Sequence, residues 1–457
     1  MQPKSRQWIY EKQRILQGSC PYLYTWNGKN YEFFTDCLWA SPIGLQLAEG
    51  VLAEARAWEY LKIPGERLVA KDGEYRLQIT EELWEAAYFD SVELIAVDHP
   101  ADVEIFSNEK VGPAEIAAFK IHTVRTPRVP VSARDQQGRD VLPQLLHRDS
   151  VYLKEFDRRI KQGLTPEHYI ELDLGKLQNP KTITLFLTGW VFPSDTSLNV
   201  AISQNPDLES PQPPSLWVPD KDKVWRKVMP FMGFPGGKTK TIAVDLSNVF
   251  LTDDYRVRIV STMEIYWDHL FFTTDEKPAD VKLIPIQPHS ADLHYRGFSR
   301  RVFHPGHGPE TYDYNAVSTK PVWPPMQGKF TRYGDVTELL TDDDNRLVVL
   351  GAGDEMTLRF RVPDEKVPAG WKRDFLLHNV GWDKDAALNT VFGQTVEPLP
   401  FREMSRYPFP PDESAPDDPQ YRNYLRIYQT RVQNRNDFWQ QIRRFSPQTT
   451  DRASIPD

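Results

Sequence analysis

The sequence predicts a multi-domain, mainly β protein of β-sandwich, jelly-roll-like units with a short helical C-terminal tail. Three observations lead there. Short apolar runs alternating at period two recur along the chain and are bounded by turn residues. Thirty-eight prolines interrupt it, and few long helical patterns survive. A stretch near the N-terminus is also echoed later in the chain. At 457 residues the chain is too long for one ordinary core.

The first element is "YLYTWNGKNYEFF", where Asn27-Gly28 separates two alternating aromatic runs and signals a hairpin. Further strands are expected at 75–79, 91–97, 182–191, 239–246, 255–260, 346–351 and 355–362. None alternates with a long amphipathic helix, so a doubly wound α/β sheet is excluded. Tyr421, Tyr424, Leu425 and Tyr428 fall at i, i+3, i+4 and i+7, a helical stripe near the C-terminus.

The echo joins "YRLQITEELWEAAYFDSVELIAVDHPADV" (75–103) to "YRVRIVSTMEIYWDHLFFTTDEKPADV" (255–281). Both run Tyr-Arg-x-x-Ile, a Glu, Tyr-aromatic-Asp, then Pro-Ala-Asp-Val. Tyr88 and Asp90 are thereby matched with Tyr266, Trp267 and Asp268, and two related sandwich units are expected, with the two Asp side chains capping turns. The organisation read from the chain is an N-terminal β unit with the hairpin (1–105) and a connector (106–165). A second β-sandwich unit (166–284), an ordered aromatic-rich connector (285–330), a third β unit (331–402) and a partly helical tail (403–457) follow.

Two cysteines cannot build a disulfide framework. A two-residue turn at Asn27-Gly28 sets Cys20 opposite Thr35 and one diagonal step from Cys37, too far for a disulfide. A four-residue turn over 27–30 sets the two cysteines opposite each other. The Asn-Gly dipeptide favours the shorter turn, and two free thiols are expected.

Several motifs imitate catalytic sites. "GFPGGKTKT" carries Gly-Lys-Thr, but a phosphate loop would need Gly at Met232 and a following helix, whereas the continuation reads as a strand. "HRDS" (147–150) imitates a kinase loop with Lys154 where a metal-binding Asn belongs. His294, His304 and His307, with Glu310 or Asp313, offer ligands of zinc type. Asp383, Asp385 and Asn389 offer oxygen ligands of calcium type, without the full spacing of a calcium loop. Glu81, Glu82, Glu85 and Asp90 could include a glycosidase carboxylate pair, with Glu85 and Asp90 the candidates. Ordinary packing or solvation accounts better for each set, so no cofactor is expected, with calcium or zinc as the alternatives.

The phrases "CPYLYTWNGKNYEFFTD", "AWEYLKIPGERL", "ELIAVDHPADVEIFSNEK", "GFPGGKTKTIAVDL", "EIYWD", "FTRYGDVTELL" and "GWKRDFLLHNVGWDKDA" together resemble the C-terminal region of large bacterial proteins. Those proteins also carry FG-GAP repeats, an ASPIC/UnbV segment and often tetratricopeptide repeats. The likeness covers about residues 20 to 445. If the chain is part of a longer one that carries the signal on its N-terminal part, the resemblance implies an exported setting, periplasmic or at the cell surface; a cytoplasmic protein is the alternative. The likeness supplies no catalytic residues. The FG-GAP and ASPIC/UnbV segments are absent from this sequence, and Ala387 stands where relatives carry a further Asp.

The net charge of −9 argues against a generally basic nucleic-acid surface. No run of 18 apolar residues exists, so no membrane-spanning segment is expected. The expected function is non-catalytic binding or scaffolding, with carbohydrate or another surface protein as partner. The alternative is a polysaccharide hydrolase using carboxylates or a histidine-bound metal.

Overall fold

The computed structural model describes residues 21–434 and residue 436. Five strands come first: β1 (Tyr22–Trp26), β2 (Tyr31–Asp36), β3 (Trp58–Ile63), β4 (Glu74–Thr80) and β5 (Glu85–Pro100). Eight follow: β6 (Ser132–Asp135), β7 (Leu164–Asp173), β8 (Ile183–Val191), β9 (Ser215–Pro219), β10 (Trp225–Met229), β11 (Lys240–Asp245), β12 (Arg256–Met263) and β13 (Ile265–Thr274). The last group is β14 (Lys282–Ile286), β15 (Pro288–Tyr295), β16 (Phe298–Val302), β17 (Thr311–Ser318), β18 (Val348–Gly351), β19 (Asp354–Arg361) and β20 (Trp371–Asp385), then helix α1 (Pro419–Ile427).

These strands make two sandwiches of the same topology. In the first, one sheet runs β2-β1-β4-β19-β15 and the other β14-β5-β20-β3, with β18 beside β5. In the second, one sheet runs β10-β9-β12-β7-β6 and the other β13-β8-β11. Isolated bridges Arg128–Phe272 and Leu153–Trp267 lie on β13 where β14 and β18 lie on β5. Every one of these ladder pairings is antiparallel. Each sandwich buries its own core between its sheets, around Phe89, Leu377 and Phe360 in the first and Trp267, Leu187 and Ile259 in the second.

The two segments of the sequence echo therefore occupy matching places, one on β4 and β5, the other on β12 and β13. The chain order differs. The second sandwich is continuous, whereas the first joins strands from both ends of the chain around it. Residues 331–402, expected as a third unit, instead supply β18, β19 and β20 to the same two sheets as β4 and β5. Alternation shows which face of a strand is buried but not which strand is its neighbour, so the division at 331 could not be read.

Residues 106–165 are not only a connector, because β6 edges the second sandwich. The stretch 285–330 is ordered but is no irregular connector: β15 is integral to the first sandwich, and β16 and β17 form a hairpin. That hairpin bridges the sandwiches. Tyr312 stacks on Tyr22, while Trp190 of the second sandwich donates to the His307 carbonyl. Of the aromatics in this stretch Phe298 and Tyr312 are buried, whereas Phe303 and Tyr295 are exposed.

The β1–β2 register corrects the expected two-residue turn. Trp26 pairs with Tyr31, which leaves four residues in the turn, and a bulge follows at Leu23/Tyr24. The Asn27 side chain decides this, because its Oδ1 accepts from the amides of both Lys29 and Asn30. Cys37 is a buried free thiol that donates to the Pro21 carbonyl; Cys20 lies outside the described residues. In the tail, Asp418 caps α1, and Tyr421, Tyr424 and Tyr428 bury their rings in the first core.

Candidate functional site

The Tyr-aromatic-Asp motif builds the same local device in both sandwiches. Along β20 and β5, Val380 pairs with Ser91 and Gly381 with Phe89, so Asp90 is the extra residue of a bulge. Along β8 and β13, Thr188 pairs with His269 and Gly189 with Trp267, so Asp268 is the extra residue there. A Cβ on Gly189 would come within 2.6 Å of the Tyr266 carbonyl oxygen, and one on Gly381 would drive into that of Tyr88. Glycine is required at both crossings. A tryptophan follows each, Trp190 opposite Tyr266 and Trp382 opposite Tyr88.

Each bulge aspartate clasps a distant loop. Asp90 Oδ1 accepts from the amides of Asp344 (3.2 Å) and Asn345 (2.8 Å). Asp268 Oδ1 accepts from Ser150 (3.0 Å), the serine of the kinase-like "HRDS". Asn345 and Ser150 both adopt left-handed backbone, φ 68° and 65°. The second oxygen of each carboxylate is buried and has no hydrogen-bond partner among the described residues. Burial, only partly offset by the loop amides, raises Asp90 to about 7 and Asp268 to about 6. Asp90 and Asp268 thus cap turns, as the echo predicts.

The two glycosidase candidates have different neighbours. Asp90 serves its loop, while Glu85 approaches Glu81 and Asp383, with ligand atoms of all three within 4.8 Å of one another. All three are buried. Burial first, and then the charges of Glu81 and Asp385, push the Asp383 carboxyl well above the usual range. This is the one group among the described residues with a donor set for a cation, and its oxygens suit calcium better than zinc. It is not the set expected from sequence. Asp385 accepts from the Ala387 amide, and Asn389 is exposed with its carbonyl bound by Gln46. Glu82 is spent on Tyr24, Thr80 and Ser299.

The histidines do not converge. His294 sits between Asp292 (3.0 Å) and Glu355 (3.2 Å), which raise its pKa. His304 contacts the Thr311 hydroxyl, and the His307 ring lies on Tyr266. Glu310 is bound by Lys238 and Asp313 by Arg300. The zinc set is therefore not assembled, because its members are held by separate partners.

The loop that imitates a phosphate site grips an anion of its own chain. The Lys238 amide donates to both Asp36 oxygens at 3.0 Å, and the Lys240 ammonium pairs with the same carboxylate. Gly237 alone of the glycine pair has positive φ, 69°, and a side chain there would strike Asp36 and Trp39. This buried contact pins the second sandwich to β2 of the first. Sequence reading missed Asp36 and Lys240, as it missed the fully buried Lys384, which donates to the Val396 carbonyl and Tyr407 hydroxyl. It also passed over the repeated Gly-Trp at 189–190 and 381–382, the one available signal for the paired bulges.

Between the sandwiches, with Trp39 in its wall, lies a cleft of about 640 Å³. Half-buried Trp39, Trp58, Phe192, Phe231 and Phe234 line it, with Glu54, Asn199 and Arg402 among the polar groups. The Arg56 guanidinium lies 4.6 Å from the Trp58 ring centre and donates to the Lys110 and Gly112 carbonyls. That fixes the wall formed by Trp58. The fold and these recesses define a two-sandwich β protein with ligand-sized clefts at the junction. No protein-family model and no curated protein matches this sequence.

Proposed function

We propose that this protein is a non-catalytic binding module whose ligand is carbohydrate, held in the aromatic cleft between the sandwiches. The observation that carries the reading is the cleft itself. It is concave and of ligand size, with several aromatic rings partly exposed and a few polar side chains between them. Sugar rings pack their C–H faces on such aromatic surfaces while their hydroxyls take the polar groups. Glu85 lies with Glu81 and Asp383 while Asp90 holds the 344–345 loop, which supports binding over hydrolysis by that pair. The exported, surface-associated setting implied by the resemblance belongs to the same proposal.

A glycan array run beside a reducing-sugar release assay tests it. Retention of a defined glycan class without release is expected, and Trp58→Ala should weaken it about tenfold or more. Sugar release would replace the module with a hydrolase. Failure of every glycan to bind would remove the carbohydrate reading.

A further inference from the structure

The bulge aspartates differ in what lies over them. Near Asp90, α1 packs Tyr421 and Tyr424 into the first core; their pKa values are raised by burial and, further, by the Asp90 charge. Asp268 instead lines an open groove of about 780 Å³ between the second sandwich, the first sandwich and the β16–β17 hairpin. Asp268 is only 1% exposed, and its Oδ2 has no hydrogen-bond partner among the described residues. An unsatisfied buried oxygen costs free energy that a donor arriving through the groove would recover.

The lining sets the chemistry of that donor. The lining mixes Arg67, Arg148 and Lys238 with Glu66, Asp149 and Asp268, so no cluster of one sign marks the groove for an anion or a cation. Lys238 is already committed to Glu310 at 2.8 Å. Phe33, Phe34 and Pro305 supply apolar walls, and His304 sits on the hairpin side. An uncharged ligand rich in hydroxyls fits these constraints: one hydroxyl donates to Asp268, others accept from Arg148, and a ring face rests on the phenylalanines.

We propose that the Asp268 groove is a second binding site, separate from the aromatic cleft, for a neutral saccharide whose hydroxyl donates to Asp268 Oδ2. It shares a ligand class with the cleft but none of its lining residues. The first sandwich carries the same aspartate close enough to α1 for its charge to act on Tyr421 and Tyr424. Burial of Asp268 is less complete than that of Asp90, and with its value near 6 it is ionised and able to accept at neutral pH.

The test is calorimetric titration of the full chain with glucose, galactose, mannose, maltose and cellobiose, with glucosamine and sialyllactose as charged controls. Asp268→Asn keeps an oxygen for the Ser150 amide but offers a donor where Oδ2 was. It should weaken neutral-sugar binding about tenfold to a hundredfold, while Asp90→Asn and Trp58→Ala leave that binding step unchanged. Binding should also weaken as pH falls through 6. Arg148→Ala, which leaves the Asp268 clasp in place, gives a second reading of the same site and should weaken binding too. Absence of neutral-sugar binding that survives Trp58→Ala would overturn the groove site, as would tighter binding of a charged control or indifference to both Asp268→Asn and Arg148→Ala. Loss with Trp58→Ala alone would leave the cleft reading standing and sink this one.

Discussion

The two sandwiches share strand order, bulge aspartate, Gly-Trp crossing and clasped loop, yet one is continuous and the other is closed by strands from both ends of the chain. In the continuous sandwich β13 pairs with β8 of the same stretch. In the other, β5 must wait for β20, so that Val97 meets Asp374 only after the intervening sandwich has been made. The same ladder geometry is thus reached with very different loop-closure costs. The split sandwich also carries α1, whose tyrosines complete its core and lie near enough to Asp90 to feel its charge. A repeated architecture can keep the equivalent aspartate beside a core helix in one copy and beside an open groove in the other.

The sharpest break in this comparison comes from α1. Tyr424 is buried and donates to the Leu347 carbonyl at 2.8 Å. Tyr424→Ala should cost about 3–5 kcal/mol, felt in the first sandwich only. Hydrogen exchange should rise in peptides from β19 and β20 and stay unchanged in β7 and β8. Equal loss in both would mean that the two sandwiches unfold as one.

The aspartates give the next effect, and its sign follows from their raised values. A carboxyl that holds its proton more tightly when folded contributes stability fully below the ordinary carboxylate range. That contribution is lost as pH rises through about 7 for Asp90 and about 6 for Asp268. Asp90→Asn should therefore gain on the wild type between pH 4 and 8, by on the order of 2–4 kcal/mol at about 1.4 kcal/mol per unit. Asp268→Asn should gain less. Urea denaturation across that range checks both, and a pH-independent difference for Asp90→Asn would contradict the raised value.

The glycine crossings sharpen the likeness. Gly381→Ala and Gly189→Ala should each cost about 1–3 kcal/mol by overpacking. Gly381 should cost more, since its Cβ would lie closer to the opposing carbonyl. Thermal denaturation of the two variants measures this, and a neutral result at either site would show that the strands can separate there.

The smallest effect concerns the matching hairpins. Asn27 Oδ1 accepts from Lys29 and Asn30, and Asp220 Oδ1 accepts from Asp222 and Val224. Asn27→Ala and Asp220→Ala should each cost about 1 kcal/mol, read from denaturation midpoints. A much larger loss at one would mark that hairpin as anchoring its sheet.

Several of these features were legible from short stretches. Alternation revealed the strands, the tyrosine spacing revealed α1, and Tyr-aromatic-Asp revealed two equivalent aspartates before any contact was known. Each rests on side-chain periodicity or on rare residues in a fixed order, which local sequence displays directly. The candidate sites were less legible, because Glu85 gains Asp383 from β20 and Asp268 its groove from residues 33–34, 64–67 and 304–311.

By itself, then, the sequence determined a mainly β chain, a repeated unit, a helical tail and the absence of a phosphate loop. Tertiary structure decided that residues 331–402 complete the first sandwich, that Asn27 holds a four-residue turn, and that Asp36 is the anion its glycine loop grips. The physical reason is that backbone hydrogen bonds are alike in every strand. Alternation says which side of a strand is buried, and only the packed whole selects the partner.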